Sequence, residues 1–272
     1  MPTPTAPTAG LLLIGDELLS GKIRDENGHA LAKTLRRLGI RFVEMAMVGD
    51  DMAAIGEALL RLCGRADLVF TSGGVGPTHD DITMEAIAAA TGRAVVQHPQ
   101  MAASLREHYG ENLSDAALSM ADVPEGTVLR GTRGWPVLRL DLDRPADPAQ
   151  SRIYILPGVP SLFRAKLEHL EAADGELPRG EGWHLALLHT TLDESKLAPH
   201  LDALLAKYGA PGGPLEIGSY PRWSRAEDGT VAYHVRVTFE APNDASSVAD
   251  AARDELAAAL GPDALCEADS PI

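Results

Sequence analysis

Positive charge is scarce in this 272-residue chain: 24 Lys and Arg stand against 39 Asp and Glu, a formal charge of −15. No Lys/Arg cluster offsets that balance, so nucleic-acid polyphosphates and anionic membrane surfaces are disfavoured as partners and small ligands are expected instead. Cysteine is scarcer still. Cys63 and Cys266 are the two present; their separation fits neither a disulfide framework nor a metal-binding spacing, as in a reducing cytoplasm. Long apolar runs are also missing. Residues 11–14 are too few for a signal peptide or a membrane span, and the Pro/Thr/Ala-rich residues 1–10 before them carry no positive charge. The expectation is a cytoplasmic protein that needs no partner to fold.

Familiar catalytic motifs are absent too. The stretch Gly74-Val-Gly76-Pro-Thr-His79 lacks the third glycine of a dinucleotide fingerprint, and no Gly-x4-Gly-Lys-Ser/Thr occurs. Without His-Glu-x-x-His, Cys-x-x-Cys or Gly-x-Ser-x-Gly, zinc chemistry and serine acyl transfer are excluded as readings.

What the sequence does contain is alternation. Residues 10–14 read as a strand, Leu31, Leu35 and Leu38 recur at helical spacing before Gly39, and residues 43–48 form the next strand pattern. Asp50 or Asp51 then caps a helix carrying Ile55, Leu59 and Leu62, which Gly64 ends, and residues 68–71 make a third strand. Such a βαβαβα order predicts a three-layer α/β/α, mostly parallel sheet with ligands outside the carboxyl ends of its strands. The middle region has shorter patterns, with a helix expected over 100–109 and β-like runs at 127–129 and 137–142. Residues 153–156 read as a buried strand leading through Pro157-Gly158-Val159-Pro160 into a helix over 161–170. A linker is expected over 174–182, rich in Gly, Pro and charge. The strand, helix, strand, strand, helix order beyond it predicts a small α+β domain. The expected domains are thus 1–173 and 183–262.

The most informative segment is Thr71-Ser-Gly-Gly-Val-Gly-Pro-Thr-His-Asp-Asp81, placed where the third strand turns into a helix starting near Asp80. Three glycines in four positions let bare N–H groups approach a phosphate, and a helix start adds its positive dipole end. Asp80 and Asp81 would repel that phosphate unless a cation lies between, so a divalent metal working on a phosphoester is expected. The acidic pairs Asp16-Glu17, Asp50-Asp51 and Asp80-Asp81 each follow a strand and should converge on one rim. One aspartate of the last pair is expected to cap the helix while the other, Asp81, reaches the ligand. His79 is assigned to binding rather than proton transfer. Lys22 and Arg24 are read as exposed charges, and Trp135 and Trp223 are given no role.

These residues resemble the molybdopterin-binding-like domain shared by molybdopterin adenylyltransferases, the N-terminal part of competence/damage-inducible protein A and the N-terminal domain of eukaryotic FAD synthase. The carriers are Gly15-Asp-Glu-Leu-Leu-Ser-Gly21, Asp25-Glu-Asn27, Val48-Gly-Asp50, Ser72 through Thr83 and Leu156-Pro-Gly-Val-Pro160. Asp193-Glu-Ser195, Ile217-Gly-Ser-Tyr-Pro-Arg-Trp223 and Tyr233-His-Val-Arg-Val237 look like the second domain of the competence-protein and FAD-synthase pattern. The resemblance implies that Gly73, Gly74, Gly76 and Thr78 hold a pterin or nucleotide phosphate, and that Asp50 and Asp81 have metal or catalytic roles. Gly15, Asp16, Glu17, Asn27, Ser72, Pro77, His79, Pro157 and Gly158 complete the expected ligand site, with Asp80 joining Asp50 and Asp81 at the metal. The implied cofactor is Mg²⁺, Mn²⁺ or Co²⁺, the ligand a small nucleotide or pterin, and the assembly a homo-oligomer. The leading expectation is a metal-dependent nucleotide pyrophosphatase acting on FAD, ADP-ribose or a related dinucleotide. A non-catalytic binder and a molybdopterin adenylyltransferase are the alternatives. The chain departs from the competence-protein pattern at Gly131-Thr-Arg-Gly-Trp-Pro136, where those proteins carry a second Gly/Ala-Pro-Gly segment. No amidohydrolase or FAD-synthesising domain follows within these residues, so activity is expected in the front domain.

Overall fold

Alternate residues of the first strand enter two different apolar cores: Leu12 and Ile14 one, Ala9, Leu11 and Leu13 the other. That is why the run shows no polar alternation; a strand covered on both faces has no solvent side to mark. The computed structural model describes residues 6–131, 135–144, 147–173, 175–180, 182–209, 213–225 and 231–266, in two units, 1–180 and 181–272.

The first unit begins β1 (Thr8–Ile14), α1 (Asp16–Leu19), α2 (Asn27–Arg37), β2 (Arg41–Val48), α3 (Met52–Cys63), β3 (Leu68–Ser72), α4 (Thr83–Ala90), β4 (Val95–Gln97) and α5 (Pro99–Tyr109). It continues α6 (Asp115–Ser119), β5 (Asp122–Pro124), β6 (Val128–Arg130), β7 (Val137–Arg144), β8 (Asp147–Leu156) and α7 (Pro160–Ala172). Six strands lie in the order β2-β1-β3-β8-β7-β6. Neighbours from β2 to β8 run parallel, and β7 and β6 are antiparallel additions at the far edge. The sheet is therefore mixed and mostly parallel, with helices on both sides. Ile55, Leu59 and Leu62 of α3 and Ile87 of α4 pack on one face; Leu31 and Leu35 of α2 and Phe163, Leu167 and Leu170 of α7 cover the other. There Phe70 stacks on Tyr154 with centroids 5.2 Å apart.

The second unit orders β9 (Trp183–Thr190), α8 (Glu194–Tyr208), β10 (Glu216–Arg225), β11 (Val231–Pro242) and α9 (Ser246–Leu260). Its antiparallel sheet, β10-β11-β9, packs one face on both helices through Leu188, Val235, Val237 and Phe239, against Leu197, Leu204, Ala252 and Leu256. Among the described residues no helix is long and apolar enough to cross a membrane.

Two expectations about local structure need correcting. The helix expected near Asp80 starts at Thr83, with Ile82 before it and no side-chain cap, so neither Asp80 nor Asp81 caps it. The segment expected as a linker is partly built into the first unit. Glu176 and Leu177 are buried, Leu177 in the α2/α7 core, and the Gly180 amide donates to the Leu38 carbonyl at 2.9 Å. Asp174 and Glu181 lie outside the described residues.

The choice between Asp50 and Asp51 at the next helix is settled by backbone geometry. Asp51 is extended, and its carboxylate accepts from the Ala54 amide at 2.8 Å at the start of α3. Asp51→Ala is expected to cost about 1 kcal/mol, a drop of roughly 2–4 °C in Tm for a domain of this size. Thermal unfolding followed by circular dichroism checks it; an unchanged Tm would mean the cap contributes nothing.

Candidate functional site

Because β1, β3 and β8 are parallel neighbours, the loops leaving them emerge on one edge of the sheet. The chain after β3 must cross the end of β1 closely. A Cβ at Gly73 would lie 2.1 Å from the Ile14 carbonyl oxygen, and Gly73 has φ +112°, so glycine is required twice over. The loop after β8 packs onto it, with a Cβ at Gly158 reaching 3.2 Å from the Gly73 α-carbon. Buried Asn27 ties the two loops together. Its Nδ2 donates to Ser72 Oγ at 2.9 Å and to the Gly158 carbonyl at 2.7 Å, while its Oδ1 has no partner among the described residues. Asp25 holds Asn27 at the start of α2 by accepting from the amides of Asn27 and Gly28.

The amides of the glycine loop fall into two sets. The Gly73 amide donates to the Leu156 carbonyl and the Thr78 amide to Asp81 Oδ2. The amides of Gly74, Val75 and Gly76 have no acceptor among the described residues, although the Gly74 carbonyl takes the Thr83 amide. All three residues line a cleft of about 1460 Å³. Three successive N–H groups without a partner among the described residues are donors available to an oxyanion. The start of α7 lines the same cleft, with Pro160 at its first turn and no side-chain cap, which adds the positive end of a helix dipole.

Of the residues expected from sequence, Glu17, Asn27, Ser72, Gly73, Gly74, Gly76, Asp81, Pro157 and Gly158 are brought together around this cleft. Gly15, Asp16, Asp50, Pro77, Thr78, His79 and Asp80 do not line it. Asp50 is engaged next door, Oδ2 accepting from the Asp16 amide at 3.0 Å, so the first two acidic pairs do meet. Asp81 is also engaged on one side. Its Oδ2 accepts from both the amide and the hydroxyl of Thr78, closing a tight turn in place of a helix cap, while Oδ1 has no partner among the described residues. Asp80 points outward with 59% of its side chain exposed, and His79 beside it is 97% exposed. The nearby Thr78 hydroxyl holds the Asp80 carboxyl below the ordinary aspartate range, even though its hydrogen bond goes to Asp81.

Sequence reasoning assigned no role to a further group of lining residues: Arg130, Gly131, Trp135, Lys166 and His169. Lys166 Nζ donates to the Trp135 carbonyl, and burial pushes its ammonium pKa down. Lys166 and His169, three residues apart on α7, share a helix face with Leu162, a periodicity readable once the helix is known to flank the site.

Residues 10–173 match the family described as "Probable molybdopterin binding domain". The chain belongs to that family. Residues 182–269 match a second description, "FAD synthase, middle domain". Among curated proteins the chain is similar to a "Probable FAD synthase" of Caenorhabditis elegans, 32% identical across 80% of this chain and 44% of that one. It is similar too to a "CinA-like protein" of Myxococcus xanthus, 33% identical across 89% of this chain and 56% of that one. The chain thus spans about half the length of both relatives. A crystal structure of CinA from Thermoplasma acidophilum, a protein of unknown function, matches with a TM-score of 0.55 and 29% identity, covering 61% of this chain and 97% of that one.

In this molybdopterin-binding-domain protein the expected metal has no ready-made protein cage. Among the described residues no three His, Cys, Asp or Glu side chains gather in a metal-binding group, and Asp50, Asp80 and Asp81 do not share the cleft. The donor set does suit a hard cation bound mainly by a ligand's phosphates. Mg²⁺ commonly takes one or two carboxylates and draws its other oxygens from phosphate and water. Asp81, beside Gly76 with its Oδ1 unpartnered among the described residues, and Glu17 are two of the carboxylates lining the cleft that would serve.

Proposed function

We propose that the cleft binds a diphosphate-bridged nucleotide, FAD, ADP-ribose or a relative of these, and hydrolyses the diphosphate with help from a divalent cation. The observation that carries this reading is the run of three amides, Gly74 to Gly76, beside Asp81 Oδ1, all without a partner among the described residues. The amides bind the phosphoryl oxygens and stabilise the charge that accumulates there as water attacks. Asn27 holds both loops in register, so the donors are fixed before the ligand arrives. Glu17 and Asp81 would hold Mg²⁺, Mn²⁺ or Co²⁺, which neutralises the diphosphate and makes water a better nucleophile. Water's oxygen bonds to one phosphorus and the bridging oxygen leaves with the other, so FAD gives AMP and FMN. Similarity to a FAD synthase supports a flavin nucleotide as substrate.

The test is to incubate the protein with FAD and with ADP-ribose in the presence of each cation and to follow AMP by chromatography. Asp81→Ala is expected to lower the rate about 100-fold or more, the scale seen when a preorganised transition-state contact is removed. If neither substrate yields AMP, or if the variant matches the parent, hydrolysis is the wrong assignment. The family match favours one other reading, a pterin site without hydrolysis. Saturable pterin binding with no AMP released from FAD would establish it.

A further inference from the structure

Burial of a lysine without a counter-charge is costly, and Lys166 is such a lysine. Its side chain could extend to water along its flexible stem. Instead it is half-buried in the cleft wall with Nζ tethered to the Trp135 carbonyl, and it has no ion-pair partner among the described residues. Neither position 162, 163, 169 nor 170, its neighbours one turn away on α7, is acidic, and residues 132–134, adjacent to Trp135, contain no carboxylate. The tether is reinforced. Gly131, at φ +94°, presses its bare α-carbon against the His169 imidazole, where a Cβ would come within 2.5 Å of Nε2. Gly131 and Trp135 are thereby each in contact with α7, and Lys166 is held at the cleft.

Arg24 also lines the cleft, but it is solvent-exposed and carries no burial cost. Arg130, another lining residue, is neutralised by Glu176 at 2.7 Å. Lys166 keeps two N–H donors beyond the one given to Trp135, and desolvation has already weakened its hold on its proton. An anion arriving at the cleft would restore both the charge balance and the hydrogen bonding. At about 1460 Å³ the cleft also exceeds the roughly 300–1,000 Å³ of an ordinary small-molecule site. There is space for a ligand longer than one phosphate and its base.

Building on the function proposed above, we propose that Lys166 is a specificity-determining residue: its ammonium takes a second anionic group of the ligand, beyond the phosphate on the Gly74–Gly76 amides. The cleft therefore selects diphosphates over monophosphates. Lysine suits that task as a compact point charge able to meet a phosphate from several directions.

Titration calorimetry on the full chain, with AMP, ADP-ribose, inorganic phosphate and pyrophosphate as probes, tests this for the parent, Lys166→Met and Lys166→Arg. Met keeps the apolar stem and removes the charge. ADP-ribose and pyrophosphate are expected to bind Lys166→Met roughly 10- to 100-fold more weakly, the range for losing one charge-assisted hydrogen bond. AMP and phosphate should change less than about twofold, and Lys166→Arg should recover most of the diphosphate affinity. If Lys166 only tethers the Trp135 loop, Met weakens AMP and ADP-ribose alike and lowers Tm, which overturns the proposal. Unchanged affinities for every probe, or no binding of any probe to the parent, overturn it equally. Selective loss of pyrophosphate alone, with neither nucleotide binding the parent, upholds the Lys166 subsite while removing the nucleotide reading on which the substrate assignment rests.

Discussion

Gly73→Ala is expected to be among the most damaging single changes in the chain, destabilising the first unit and abolishing ligand binding together. Two costs add at this position. The backbone has φ +112°, which an L side chain rarely adopts, and a Cβ would sit 2.1 Å from the Ile14 carbonyl. That oxygen belongs to β1, a strand buried from Ala9 onward and hydrogen-bonded on both sides, so it cannot yield without disturbing the sheet. Strain of about 1–3 kcal/mol and overpacking of about 1–3 kcal/mol sum to roughly 3 kcal/mol or more. The expected fall in Tm is about 6–12 °C. Displacing the loop would also move the Gly74 to Gly76 amides off their common target, so nucleotide affinity should be lost beyond detection by calorimetry. Gly92→Ala separates the two costs. Gly92 has φ +66°, but a Cβ there would meet nothing within 4 Å, so this variant should show the conformational penalty alone. Equal Tm losses in the two variants would show that the close approach to β1 is not the cause.

Glu176→Ala should have a comparable effect on stability for an electrostatic reason. The carboxylate is 7% exposed and meets Arg130 at 2.7 Å, Arg139 at 3.0 Å and the Tyr154 hydroxyl at 3.0 Å. Burial, then the Glu176 charge, pushes the Tyr154 phenol pKa up, so the phenol stays protonated and donates. Removing the carboxylate takes the counter-charge from Arg130 and leaves Arg139 with Asp141 at 2.9 Å alone. Breaking a buried charge network from one side costs about 3–5 kcal/mol. Denaturant unfolding should show that loss at constant m-value, and Glu176→Gln should lose less because an acceptor oxygen remains. A loss below about 1 kcal/mol would mean that Leu177 and the Gly180 to Leu38 hydrogen bond, rather than the charge network, hold this segment.

The same residue explains one misreading of the sequence. Gly, Pro and alternating charges make residues 174–182 look like a solvated linker, and Glu176 looks like one more surface acid. Its partners come from β6, β7 and β8, and no local pattern announces them. Lys166 is similar. Its periodicity on α7 is visible, but the carbonyl that tethers it comes from a loop on the other side of β7 and β8. The acid pairs divided: Asp81 lines the cleft as expected, while Asp50 and Asp80 do not. Adjacent aspartates have the same chemistry, so only backbone direction could decide that Asp51 caps α3, that Asp50 turns to the Asp16 amide, and that Asp80 faces outward while Asp81 faces the cleft.

By itself the sequence determined the alternation of strands and helices, the mostly parallel sheet and the position of the glycine loop at its carboxyl edge. Those features rest on apolar periodicity and on glycine's backbone freedom, which are local properties of the chain. Long-range contacts settle which amides stay free, that Asp50 and Asp80 stay out of the cleft, and that Lys166 lines it. Each of these depends on hydrogen-bond partners and desolvation supplied by strands and loops remote in sequence, which only the folded chain brings together.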